Sequence, residues 1–176
     1  MKKRWIAVAA ILWALAIGVG VTVAYLVSSS GTLENTFSVG KVQIALTETG
    51  NRQFPLTPGV THTKDPAVVL KAGSESAWLF VRVEKSAGFD RYCTYEMAEG
   101  WELFAEESGV YFRAVDKTAA DKPYPVLQGN RITVSEELTE QELNALTVHP
   151  TLEFTAYAVQ RESVATPEEA WAILNE

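Results

Sequence analysis

The sequence predicts an all-β domain, an antiparallel β-sandwich with one or two short helices, behind an N-terminal signal or apolar helix. Three observations carry that prediction. Apolar and polar residues alternate with a period of two over several short stretches, the mark of half-buried strands. Gly, Pro and Asn punctuate those stretches at close intervals, so strands are joined by turns rather than by long helices. Seven Phe, six Tyr and five Trp among 176 residues supply bulk for a core, which separates this chain from disordered ones.

The first segment stands apart in composition. Lys2, Lys3 and Arg4 precede an apolar run from Trp5 to Val27, interrupted only by Gly18, Gly20 and Thr22. A basic start, an apolar stretch and a small residue near its end form an export signal, with cleavage expected after Ala24 to leave Tyr25 as the first residue. The alternative is a retained membrane anchor, since 23 apolar residues can span a bilayer. In both cases the body faces outward, because the positive residues stay inside. Removing those three cations from the 15 in the chain leaves 12 against 22 acids, so the body carries −10 where the whole chain carries −7. Such a surface repels phosphate and argues against nucleic-acid binding. The predicted organisation is a signal peptide over 1–24, an extension over 25–36 and the sandwich over 37–176.

Along the body, Val42, Ile44 and Leu46 alternate with polar or small neighbours and predict the first strand. Gly50 to Gly59, with Asn51, Pro55 and Pro58, reads as a turn-rich link. Pro66 opens a strand over Ala67–Leu70, closed by the turn Lys71-Ala72-Gly73-Ser74. The segment 77–84 is the strongest strand: Ala77, Leu79, Val81 and Val83 share one face, Trp78 and Phe80 the other. Apolar residues on both faces predict a central strand covered from two sides. Strands are also expected over 91–97, 101–105, 110–115 (after the turn Ser108-Gly109), 131–134 and 152–160, with a loop at 117–125.

Helix starts are written in their caps. Thr139-Glu140-Gln141-Glu142 fits a capping box, in which the threonine hydroxyl satisfies an orphan amide and Glu142 reaches back. Thr166-Pro167-Glu168-Glu169 repeats the device with Pro at the first helical position. Ala170, Trp171, Ile173 and Leu174 then form an apolar stripe that must dock on the sandwich, since so short a helix does not stand alone.

Residue types that carry chemistry are sparse. His62 and His149 lie far apart in sequence and neither belongs to a His-Glu-x-x-His motif, so no zinc hydrolase is indicated. His62 is expected in a solvated loop. The adjacent acids Glu106/Glu107, Glu136/Glu137 and Glu168/Glu169 point in different directions and read as surface and helix starts. Cys93 has no second cysteine to pair with and is expected to be a buried apolar residue rather than a reactive thiol. No catalytic residue, cofactor or metal is expected.

A family resemblance adds to these readings. After the basic start and apolar run, Asn35-Thr36-Phe37-Ser38-Val39-Gly40-Lys41-Val42-Gln43-Ile44-Ala45-Leu46 resembles the Asn-Thr-Phe-x-x-Gly strand of the TasA/camelysin family, whose signals are handled by the peptidase SipW. Pro58-Gly59, Lys64-Asp65-Pro66 and the stretch from Gly73 to Val83 resemble its second segment. Ala156-Tyr157-Ala158-Val159-Gln160 with Ala170-Trp171 is similar to the C-terminal end of many clostridial members. The resemblance covers about half of the chain, in order. It implies a jelly-roll-like sandwich secreted by a Gram-positive bacterium, a subunit of an extracellular fibre or biofilm matrix that polymerises with itself or with related subunits. In that arrangement the N-terminal segment of one copy adds a strand to the next, with Tyr25, Leu26, Val27, Leu33 and Phe37 as its anchors. Two other functions stay open: a monomeric or membrane-tethered surface-binding module, and the metallopeptidase activity implied by the camelysin name.

Overall fold

The computed structural model describes residues 25–27, 38–39, 41–50 and 53–175. The chain is an all-β sandwich with short helices. The largest sheet has five strands in the order β2-β13-β7-β10-β9. In sequence these are β2 (Ser38–Val39), β7 (Ala77–Lys85), β9 (Glu102–Leu103), β10 (Val110–Val115) and β13 (Leu152–Gln160). Its pairings are antiparallel except for β2, which runs parallel to β13.

The opposing layer is split into two three-stranded sheets. One has the order β11-β6-β3, from β11 (Lys122–Pro125), β6 (Ala67–Leu70) and β3 (Ile44–Thr47). The other has the order β5-β12-β8, from β5 (Thr61–Thr63), β12 (Arg131–Val134) and β8 (Cys93–Thr94). A separate two-stranded sheet joins β1 (Tyr25–Val27) to β4 (Gln53–Pro55).

Alternation decides what each face buries. Ala77, Leu79, Val81 and Val83 of β7 and Leu152, Phe154, Ala156 and Ala158 of β13 point into the main core, where they meet Val68, Leu70, Ile132 and Val134 from the split layer. On the reverse face Phe80, Val110 and Val159 join Phe104, Val164, Ala170 and Trp171 in a second, smaller core. The expectation that both faces of the 77–84 strand are covered is therefore met. Its cover is α3 (Pro167–Leu174), preceded by a single turn of 3₁₀ helix over Arg161–Ser163.

Both predicted helix starts are present. In α2 (Glu140–Asn144) the Thr139 side chain accepts from the Glu142 N–H, and the Glu142 carboxylate accepts from the Thr139 N–H at 2.9 Å. In α3 the Thr166 hydroxyl accepts from Glu169, while Glu169 accepts from the Ala165 N–H at 3.1 Å. Ala170 and Trp171 are buried as expected, whereas Ile173 is exposed, because α3 is too short to press more than one side on the sheet.

Several expectations are corrected. The link 50–59 contains β4, and the loop 117–125 contains β11. Both are short, Pro-bearing strands, and β11 lies at a sheet edge, where a missing N–H is tolerated. The strand expected over 91–97 is a helical turn, α1 (Phe89–Tyr92), followed by the two residues of β8. Gly88, at φ 77°, redirects the chain there and the main core takes Phe89, so tertiary burial overrides the β-propensity of Tyr92 and Tyr95. Of 101–105 only Glu102–Leu103 pairs, and the strand expected around Val42, Ile44 and Leu46 begins at Ile44, leaving Val42 before it. Gly109 is the turn expected before β10. A Cβ at that position would sit 2.8 Å from the Val83 carbonyl, so glycine is required for the close approach.

The predicted signal segment 1–24 lies outside the described residues. Among those described, no helix is long and apolar enough to cross a membrane.

Candidate functional site

Three of the five anchors assigned to the N-terminal segment, Tyr25, Leu26 and Val27, form β1. It pairs antiparallel with β4, Tyr25 opposite Pro55, Leu26 opposite Phe54 and Val27 opposite Gln53. Leu33, Phe37 and the cleavage residue Ala24 lie outside the described residues. Strand β4 is anchored from below, because Phe54 and, just after the strand, Leu56 are both buried in the main core.

Beside β4 lies the edge of a three-stranded sheet. Among the described residues β5 pairs only with β12, so one side of it carries no ladder. A cleft of about 500 Å³ runs along this edge, lined by Thr49, Gly50, Phe54, Thr61, His62 and Thr63. His62 belongs to β5 rather than to the solvated loop expected for it. Its ring stacks on Phe54 with centroids 5.0 Å apart, and its Nε2 lies 3.0 Å from the Pro55 carbonyl oxygen. The imidazole therefore joins the β5 edge to β4.

The Lys64-Asp65-Pro66 stretch fixes the rest of the cleft. Lys64 is fully buried and its ammonium lies 2.6 Å from Glu48, which is 4 % exposed, and 5.4 Å from the centre of the Phe154 ring. Because Glu48 directly follows β3 and Lys64 directly follows β5, the ion pair ties the two halves of the split layer together. A buried pair of this kind survives only with close geometry, since both charges have left water. Asp65 points the other way and holds the loop after β3. Its carboxylate accepts from the Thr49 hydroxyl, from the Thr49 N–H at 3.0 Å and from the Gly50 N–H at 2.9 Å. Burial works to raise this carboxyl, but the hydrogen bonds outweigh it and keep it below the usual carboxylate range.

Elsewhere the chemistry-bearing residues have structural partners. Cys93 is buried in the main core, and burial pushes its thiol up to about 12. Of the adjacent acids, Glu107 turns inward to accept from Trp171 Nε1 at 2.8 Å and to pair with Arg82, whereas Glu106 is exposed. Glu137 pairs with Arg91, and Glu169 caps α3. Among the described residues no group of three or more His, Cys, Asp or Glu is placed to hold a metal ion.

Comparison with protein-family models, with curated proteins and with solved structures finds no match to this chain. The site accordingly rests on its own geometry. Strand β4 and the buried Lys64–Glu48 pair were both missed in the sequence. The only signals for them were a lone Phe between Gln53 and Pro55 and a lysine two residues before Pro66.

Proposed function

We propose that the chain is a secreted structural subunit of an extracellular fibre or biofilm matrix, assembled by strand donation between copies, and that it acts without catalysis. The observation that carries this reading is the position of β1. It is paired to β4 in a two-stranded sheet of its own, beside a cleft along the one-sided edge of β5. A strand bound mainly through backbone hydrogen bonds at an edge is exchangeable, because a second copy offers the same donors and acceptors.

Chain length permits the exchange. Ten residues, 28–37, separate β1 from β2, and a fully extended chain of that length reaches about 35 Å. The segment can pair with its own β4 in a monomer or with the β4 of a neighbour in a polymer. In this reading export frees Tyr25, and the product acts at the surface or in the matrix of a Gram-positive cell, as the sequence resemblance to TasA/camelysin proteins implies.

The test is assembly itself. A chain starting at Tyr25, followed by light scattering and electron microscopy, is expected to form filaments. Deletion of Tyr25–Val27, or Phe54→Asp in the acceptor, is expected to abolish them. A monomer that persists at high concentration overturns strand donation and leaves the surface-binding module.

A further inference from the structure

The two layers of the sandwich meet at a seam between β10 and β11. In β10, Tyr111 and Val115 pack on the main core, and Arg113 between them lies on the same side of the sheet. The neighbouring strand β9 reaches only to Phe112, so Arg113 stands at the margin of its sheet. Across the seam, Tyr124 of β11 is buried in the main core, and Lys122, two residues before it, shares its face. Trp101 closes one end, its Nε1 donating to the Pro125 carbonyl at 2.8 Å.

The Arg113 guanidinium is seated among flat surfaces. It lies 4.6 Å from the centre of the Tyr124 ring and 5.4 Å from that of Trp101, and a Cβ on Gly100 would stand 2.6 Å from its Nη2. The Lys122 ammonium is 5.3 Å from the same Tyr124 ring, so the two charges are within about 10 Å of each other. Arg113 is half-buried, its Nε is buried without a hydrogen-bond partner, and burial pulls its pKa below the usual arginine range. Among the described residues neither cation has an ion-pair or hydrogen-bond partner. Acids close in sequence are engaged elsewhere: Asp121 accepts from Lys71 and from the Ala72 N–H, and Asp116 pairs with Arg161. Glu99 and Glu102 are exposed and pair with neither cation. The six described cations Lys64, Lys71, Arg82, Lys85, Arg91 and Arg161 all hold a carboxylate, so the half-buried Arg113 is set apart from them.

We infer that this seam binds a small oxyanion of two charges, of the size of inorganic phosphate, between Arg113 and Lys122. A half-buried guanidinium beside a second cation is unfavourable without a counter-charge, and an anion there offsets both the burial and the mutual repulsion. Tyr124, Trp101 and Gly100 take the faces of the guanidinium and leave its edge, the part that forks onto an oxyanion. Lys122 adds the second charge from an exposed, adjustable side chain. A polyanion is disfavoured, since the acidic body repels every charge beyond the seam. Held by β10 and β11 together, the anion closes the sandwich where β9 stops short. None of these residues belongs to β1, β4 or the cleft beside them, so the inference does not rest on strand donation.

Titration of the full chain with inorganic phosphate in the millimolar range, at ionic strength held constant with sodium chloride, tests this. Saturable broadening of the phosphorus NMR resonance is expected, with a thermal midpoint about 5 °C higher at about a hundredfold excess over Kd. Both responses should vanish in Arg113→Gln, and the affinity should fall about tenfold in Lys122→Gln. Lys117→Gln, which removes an exposed lysine outside the seam, should keep both. Because Lys122 is exposed, Lys122→Gln should leave the phosphate-free midpoint unchanged and decides the matter even where Arg113→Gln fails to fold. No saturable response overturns the inference, as does a response that survives Arg113→Gln or is unaltered in Lys122→Gln. A midpoint that rises only at molar phosphate is the general effect of an excluded salt and equally overturns it. Acetate, with one charge, should bind more weakly, and equal affinity would overturn the assignment to a dianion.

Discussion

On one face of β7, Ala77, Leu79, Val81 and Val83 enter a core shared with both halves of the split layer. On the other, Trp78 and Phe80 meet a small cluster closed by one eight-residue helix. The first face is aliphatic and makes its contacts through many strands. The second is aromatic: Phe80 lies 5.0 Å from Trp171 and 5.9 Å from Phe104, ring centre to ring centre, and Tyr157 lies 5.5 Å from Trp171. The Trp171 indole is also held by its hydrogen bond to Glu107 and by Arg82 at 5.6 Å from the ring. A sheet face that cannot recruit a second sheet is thus covered by a few large rings on one helix. Cooperativity should differ accordingly: damage to the aliphatic side is global, while damage to the aromatic side is confined to its cover.

The largest effect is expected on the sandwich side. Lys64→Ala leaves the nearly buried Glu48 carboxylate without its ammonium, and a loss of about 4 kcal/mol is expected in urea unfolding. Lys64→Met with Glu48→Leu should recover most of it, which separates the cost of a stranded charge from the worth of the pair. Trp171→Ala should cost about 3 kcal/mol. Its distinguishing sign is local: hydrogen exchange accelerates through α3 and around Val164, while β7 and β13 amides keep their protection. Equal acceleration in β7 would remove the distinction between the two faces.

Thr166→Ala removes the cap of the same helix and should cost about 1 kcal/mol, again read by exchange confined to α3. The smallest effect belongs to α2, in which no residue is buried. Glu142 accepts from the Thr139 N–H and from Arg91, and these bonds bring its carboxyl down from 4.5 to about 2. A folded-state value below the unfolded one contributes stability that is present above about pH 4.5 and is lost as the pH falls through about 2. Glu142→Gln should flatten that part of the acid-unfolding profile and leave stability at neutral pH slightly lower. Cys93 gives a control for the main core. It should resist alkylation at pH 8 in the folded protein and react at once in urea, and fast labelling of the native state would mean that this side opens locally.

What was legible in the sequence follows from range. Strands β7 and β13 are nine residues each with clean alternation, so period alone defined them and the faces they bury. The caps at Thr139 and Thr166 are local chemistry within four residues and were equally clear. Strands β4, β5 and β11 are three or four residues long, polar or Pro-bearing, and exist only because a distant partner pairs with them. For the candidate site the same division holds. A strand at Tyr25–Val27 was implied only by the family resemblance, and its partner at Gln53–Pro55 was not readable. The seating of Arg113 and Lys122 on Tyr124 could not be read at all, since β10 and β11 face each other only through the packing of two sheets.

By itself, then, the sequence determined the fold class, the two-sided burial of β7, the helix starts and the docking of Trp171, because each depends on a periodicity or a cap spelled out in neighbouring residues. Only the tertiary structure decided which edge takes the N-terminal strand, why a lysine is buried beside Glu48 and where Arg113 is seated. Each of those joins residues distant in the chain, and no local pattern encodes which strand will come to rest beside which.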